Sequence, residues 1–214
     1  MSEEPRSPTP VDLGAGRLEA FSDAVMAVII TILALELRPP GGSSVAALKD
    51  ALPDLLIYVL SFVFIAIYWN NHHHLLRATT RISGGVMWAN MFLLFWLSLI
   101  PVVTEWLHNA DVSREPIDHF YGDRIPVASF GLVALAAAFA YALLVRAIIR
   151  ANGRDSLVGV AISSDIKGLI SLVLYLLGVV FAFATWVRPA YTLYAAVAVM
   201  WLVPDRRFTR ASNV

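Results

Sequence analysis

The chain belongs to the all-α class, as a polytopic membrane protein with six transmembrane helices. Three observations predict this. Of its 214 residues 58% are hydrophobic and only 15% charged, with a mean hydropathy of +0.69, well outside the mix of a soluble globular domain. Apolar runs close to the roughly 20 residues that cross a bilayer core recur over about 18–37, 55–76, 86–107, 126–149, 166–187 and 189–203. Lys and Arg are also unevenly shared between the two sides these runs define. Eleven, from Arg6 and Arg17 through Arg77, Arg81, Arg146, Arg150, Arg154 and Lys167 to Arg210, fall on the side of the N-terminus. Five fall opposite: Arg38, Lys49, Arg114, Arg124 and Arg188. The positive-inside rule then places both termini in the cytoplasm.

Residues 1–16, MSEEPRSPTPVDLGAG, are rich in Pro, Ser and Glu and lack a basic segment followed by an apolar core. They are expected to be a disordered cytoplasmic tail, not a cleaved signal. Residues 17–204 form the six-helix transmembrane domain and 205–214 a second cytoplasmic tail. The second run ends in Trp69, Asn70, Asn71, His72, His73 and His74, and the third carries Asn90, Ser98, Pro101, Thr104 and Glu105. Pro101 should kink its helix and free a carbonyl. Glu105 lies near the outer end, in headgroup water or at a vestibule. The longest connection, about 108–125, is acidic on balance. Asp165 or Ser164 is placed to cap the fifth helix. The fifth and sixth runs are separated only by Val187, Arg188 and Pro189, which predicts a tight helical hairpin.

The composition also excludes function classes. No cysteine is present and the formal net charge is zero, so disulfides, thiolate metal sites and thiol catalysis are absent, and no basic run suggests a nucleic-acid partner. No catalytic group and no resident cofactor is expected.

The first run, RLEAFSDAVMAVIITILALEL, has a different character from a simple anchor. Arg17, Glu19, Ser22, Asp23, Thr31 and Glu36 interrupt it. A charge near the centre of an inserted helix costs on the order of 2.5–3.5 kcal/mol, so these groups should face protein or water. Val28, Thr31, Ile32 and Leu35 share one helical face. That face is either a packing seam against a neighbouring span or the lining of a pore, in which apolar rings gate by dewetting and threonine oxygens meet a partly dehydrated cation. Spacing leaves both open.

Glu19 and Asp23 stand at i,i+4 and need a counterion or a protonated partner. In the inside-start topology the polar end of the second span lies at their depth. Arg17, Ser22, Asp23, Asn71 and the histidines are therefore expected to form one hydrogen-bonded network, with Trp69 packed beside it. His72, His73 and His74 project about 100° apart on a helix and cannot converge on one metal ion. A rival function built on the same residues is a proton-coupled secondary transporter, with Asp23 and His72–His74 as a carboxylate–imidazole relay.

Arg17 followed by Phe21, Ser22 and Asp23 and then an apolar face with Thr31 resembles the first helix of the lysosomal potassium-channel family, transmembrane protein 175, in its short prokaryotic form. The strings SFVFIAIYWNNHHHLL and NMFLLFWLSLIPVVTEWL also look like the family's second and third spans. The resemblance implies a homotetrameric K⁺-selective channel without a TVGYG loop, its pore lined by the first helix of each subunit. It implies that Val28, Ile32 and Leu35 form the constriction and that K⁺ passes transiently near Thr31. Arg17, Phe21, Ser22, Asp23, Trp69, Asn71, His72 and His73 would hold the helices in register. Val28 stands where Ile or Leu is usual, which implies a wider constriction. The implied partners are other copies of the chain, K⁺ ions and membrane lipids, with no cofactor beyond permeant K⁺, in a prokaryotic plasma membrane.

Overall fold

The computed structural model describes residues 10–112, 124–161 and 166–202. Its elements are α1 (Pro10–Glu36), α2 (Val45–Asp50), α3 (Leu52–Arg77), α4 (Gly84–Ser98), α5 (Ile100–Val112), α6 (Arg124–Asn152), α7 (Leu157–Ala161), α8 (Ile166–Phe183) and α9 (Val187–Leu202). Among the described residues five spans are long and apolar enough to cross a membrane: Gly14–Glu36, Leu52–Arg77, Gly84–Asn109, Arg124–Asn152 and Ile166–Phe183. α9, at 16 residues, is shorter.

The first helix begins earlier than its apolar run. The expected disordered tail, 1–16, is corrected at its inner end: α1 starts at Pro10, a residue whose missing N–H costs no intrahelical bond at a helix start. Residues 1–9 and 205–214 lie outside the described residues, as do the expected caps Ser164 and Asp165. The third run is one span broken once. α4 ends at Ser98 and α5 resumes at Ile100, because Pro101 has no N–H to continue the ladder and its ring crowds the preceding turn. Leu99 N–H bonds back to Trp96 O at 3.3 Å, the tighter spacing that closes such an end. α2, capped by Ser44 through a 3.1 Å bond from Ala47 N–H, is a short connector.

α6 is the central helix, packed against α4, α5, α8 and α9. Gly131, Ala134, Ala137 and Ala140 are all buried on it. Small residues let helices approach closely where water supplies no driving force between them. The Tyr194 ring of α9 fills the space so created. A Cβ at Gly131 would overlap the Tyr194 hydroxyl, and one at Gly178 would overlap its Cε1. The Tyr194 hydroxyl donates to Val127 O at 3.3 Å.

The hairpin between α8 and α9 turns over Ala184–Trp186, slightly earlier than the sequence suggests. Trp186 N–H reaches Phe181 O at 2.8 Å and Thr185 N–H reaches Ala182 O at 3.1 Å, the paired bonds of a Schellman motif. Thr185 occupies its left-handed position at φ 70°, which is unfavourable for a β-branched residue. Thr185→Gly is expected to stabilise the protein by about 1 kcal/mol. A higher midpoint of thermal unfolding in detergent would show it; an unchanged or lower midpoint would contradict it.

Candidate pore helix and its supporting clusters

α1 has two opposed faces. Ser22, Met26, Ile29 and Leu33 are buried at helical spacing, against α3, α4 and α5. The other face is uncovered by its own chain: Val28 is 56% exposed, Ile32 40% and Leu35 84%, with Thr31 exposed between them. The face 28–31–32–35 is therefore not a seam within the chain. Thr31 Oγ1 donates to Val28 O at 2.8 Å, so its proton is held by its own helix and its lone pairs are what it presents outward. An acceptor on an apolar face suits a cation.

Two polar clusters, not one network, hold the N-terminal half of α1. The first is fully buried. Ser22 Oγ donates to Leu18 O at 2.8 Å and accepts from Asn90 Nδ2 at 2.9 Å. Asn90 Oδ1 accepts from His72 Nε2 at 2.7 Å. One amide thus joins α1, α3 and α4 in a dry interior, where pairing is obligatory. His72 Nδ1 is left buried with no partner among the described residues. The second cluster is half exposed. Trp69 Nε1 donates to Asp23 Oδ1 at 3.0 Å, and its indole stacks on the His73 ring at 5.7 Å. His73 Nδ1 lies 2.8 Å from Glu19 Oε1 and Arg77 Nε 3.7 Å from the same oxygen. The His73 contact is a close approach without the directed N–H geometry of a hydrogen bond. Glu19, Asp23 and His73 lie near enough to one another for a single cation, and their contacts within the protein already account for the arrangement.

Three expected members fall elsewhere. Phe21 is 47% exposed on the uncovered side of α1, because it is 100° from Ser22 and Ser22 faces inward. Asn71 faces away from α1: its Nδ2 donates to Ile67 O at 2.8 Å and its backbone O accepts from the Tyr141 hydroxyl at 3.3 Å. Arg17 is exposed with no ion pair among the described residues. The relay from Asp23 through His72–His74 is likewise not a continuous chain, since Asp23 bonds Trp69 and His72 bonds Asn90. Consecutive helical residues face different neighbours, and the carboxylate that closely approaches His73 is Glu19.

The opposite ends of these helices are tied separately. Ser61 donates to Thr104 Oγ1 at 2.8 Å, while Thr104 donates to Ile100 O at 2.7 Å, which joins α3 to α5 in the interior. Glu105, expected in headgroup water or a vestibule, pairs with Arg38 at 3.2 Å and accepts from Asn109 at 2.8 Å. His108 Nδ1 lies 2.9 Å from Asp54 Oδ1.

Residues 17–101 match the family model described as "Endosomal/lysosomal potassium channel TMEM175". The chain is 43% identical over 196 residues to a protein of Chryseobacterium sp. (strain P1-3) named a potassium channel, covering 92% of this chain and 96% of that one. The chain belongs to the TMEM175 family. The fold is similar to the crystal structure of a lysosomal potassium-selective channel TMEM175 homolog from Chamaesiphon minutus, with a TM-score of 0.74 at 24% identity over 89% of this chain and 97% of that one. A bovine TMEM175 relative, named a proton channel, is 27% identical over 64% of this chain and 30% of its own length. The buried seam of α1, its uncovered face and both polar clusters at its N-terminal half all fall inside the TMEM175 match. Asn90 and Arg77 are the members of the site that sequence reasoning did not connect to it. A lone amide inside the third apolar run was the available signal, since such a group must find a partner.

Proposed function

We propose that this TMEM175 family member is a passive K⁺ channel, with α1 of each of four copies around a central pore. The observation that carries this reading is the uncovered face of α1, apolar except for the acceptor Thr31. A single pore helix cannot enclose a conduit, and closed cyclic symmetry is the usual way for copies to do so. Val28, Ile32 and Leu35 would constrict the pore and exclude bulk water when shut, and Thr31 would offer oxygen to K⁺ as it sheds hydration. The inner clusters hold α1 at a fixed rotation, so that this face and not its neighbour meets the axis.

In this reading α9 is the sixth crossing. Its 16 residues span about 24 Å, and Trp186 and Trp201 near its ends suit the two interfaces. Both termini then lie in the cytoplasm, and the membrane is a prokaryotic plasma membrane. The named potassium-channel relative supports K⁺ as the permeant ion.

Reconstitution in liposomes tests the proposal. Wild-type protein should pass K⁺ down its gradient without valinomycin. Ile32→Asn and Leu35→Asn should hydrate the constriction, raise flux severalfold and reduce the preference of K⁺ over Na⁺. No K⁺ flux, or flux indifferent to both substitutions, contradicts it. Flux that saturates and tracks the pH gradient would point instead to proton coupling.

A further inference from the structure

A cavity of about 270 Å³ opens between α3, α6, α8 and α9. Its walls are mostly apolar and aromatic, among them Phe64, Tyr68, Tyr141, Tyr175 and Trp201. Most of the lining comes from the half of each helix nearest the basic side, the end of α3, the second half of α6, the start of α8 and the end of α9, with Phe64, Ala138 and Tyr175 near mid-helix. Asn71 and Ser171 are polar members of the lining, and its charged member is Arg146, which reaches the cavity from α6 and is itself exposed. It has no ion-pair partner among the described residues. Arg150, one turn further, is exposed as well, and Lys167 Nζ sits 5.8 Å from the centroid of the Trp201 ring that walls the site.

We propose that this cavity binds an anionic phospholipid of the inner leaflet, with an acyl chain between the aromatic walls and the phosphate on Arg146. The volume is close to the lower end of small-ligand pockets, roughly 300–1,000 Å³, and the lining suits hydrocarbon. A soluble anion would leave the apolar and aromatic walls unused. A lipid supplies both halves of the match, because guanidinium groups at helix ends sit at headgroup depth with their stems along apolar surface. Arg146 is thereby given the anion that the described protein does not provide. The leaflet assignment rests on both termini being cytoplasmic; the binding does not rest on conduction.

Native mass spectrometry of the full chain, purified with equal amounts of phosphatidylglycerol and phosphatidylcholine, tests this. The expected result is preferential retention of phosphatidylglycerol. Arg146→Gln should reduce that preference about fivefold, Arg146→Lys should keep most of it, and Ala142→Trp, which fills the cavity, should lose both lipids. Equal retention of the two lipids, or a preference untouched by Arg146→Gln, overturns the proposal. Displacement of phosphatidylglycerol by inorganic phosphate would assign the site to a free anion and also overturn it. So would an Ala142→Trp variant that changes oligomer mass while keeping its lipid, since the cavity would then be covered by a second copy.

Discussion

Asn90→Leu is expected to destabilise the protein by roughly 2–4 kcal/mol, the largest single effect of a polar substitution in this molecule. The side chain keeps the same branched shape but removes an acceptor from His72 Nε2 and a donor to Ser22 Oγ. Ser22 retains its bond to Leu18 O, so its loss is small. His72 does not escape so easily, because it is fully buried and its Nδ1 already has no partner among the described residues. An unsatisfied buried group costs about 1–3 kcal/mol beyond the lost bond. The double substitution Asn90→Leu with His72→Leu should recover much of the stability, since removing both partners leaves nothing to satisfy. Denaturation in mixed detergent measures both. A single variant as stable as wild type, or a double variant worse than the single, would show that the amide does not join the three helices as described.

Gly178→Val should be nearly as damaging, through volume instead of polarity. The Tyr194 ring rests against the bare Cα, and even one added carbon overlaps it. Tyr194 is 2% exposed and is held between Gly178 and Gly131 with its hydroxyl on Val127 O, so it has nowhere to swing. Overpacking of this kind costs about 1–3 kcal/mol, occasionally more. The damage should stay local to the α8–α9 hairpin and its contact with α6. Protease accessibility of the hairpin should therefore rise before that of α1. Combining Gly178→Val with Tyr194→Leu should relieve the overlap and restore part of the loss. Wild-type thermal stability for Gly178→Val alone would refute the packing described.

The helical class and most span limits are legible in the sequence because hydropathy is a local property, summed along a run and indifferent to what lies beside it. The face 28–31–32–35 is legible for a similar reason: 100° per residue fixes which side chains share an azimuth. Span limits shifted where backbone chemistry overrode composition, as at Pro101 and at the Thr185 turn, and the first helix extends into a stretch whose composition suggests a tail. Phe21 and Asn71 illustrate a different failure. The family resemblance put Phe21, and the shared depth of the second span's polar end put Asn71, in the network of Ser22 and His72, yet on a helix adjacency in sequence means separation in space.

By itself the sequence determined that this is a helical membrane protein, where its apolar runs lie, and which residues of α1 share a face. Only the tertiary structure decided that this face is left bare while Ser22, Met26, Ile29 and Leu33 are covered. It also decided that Asn90 completes the buried cluster with Ser22 and His72 and that Arg146 opens on a cavity. The physical reason is rotational. A helix carries its own periodicity, but the angle at which it is turned toward its neighbours is set by the packing of those neighbours, through small residues on α6 and a few obligatory polar bonds. That information is distributed over contacts far apart in the chain.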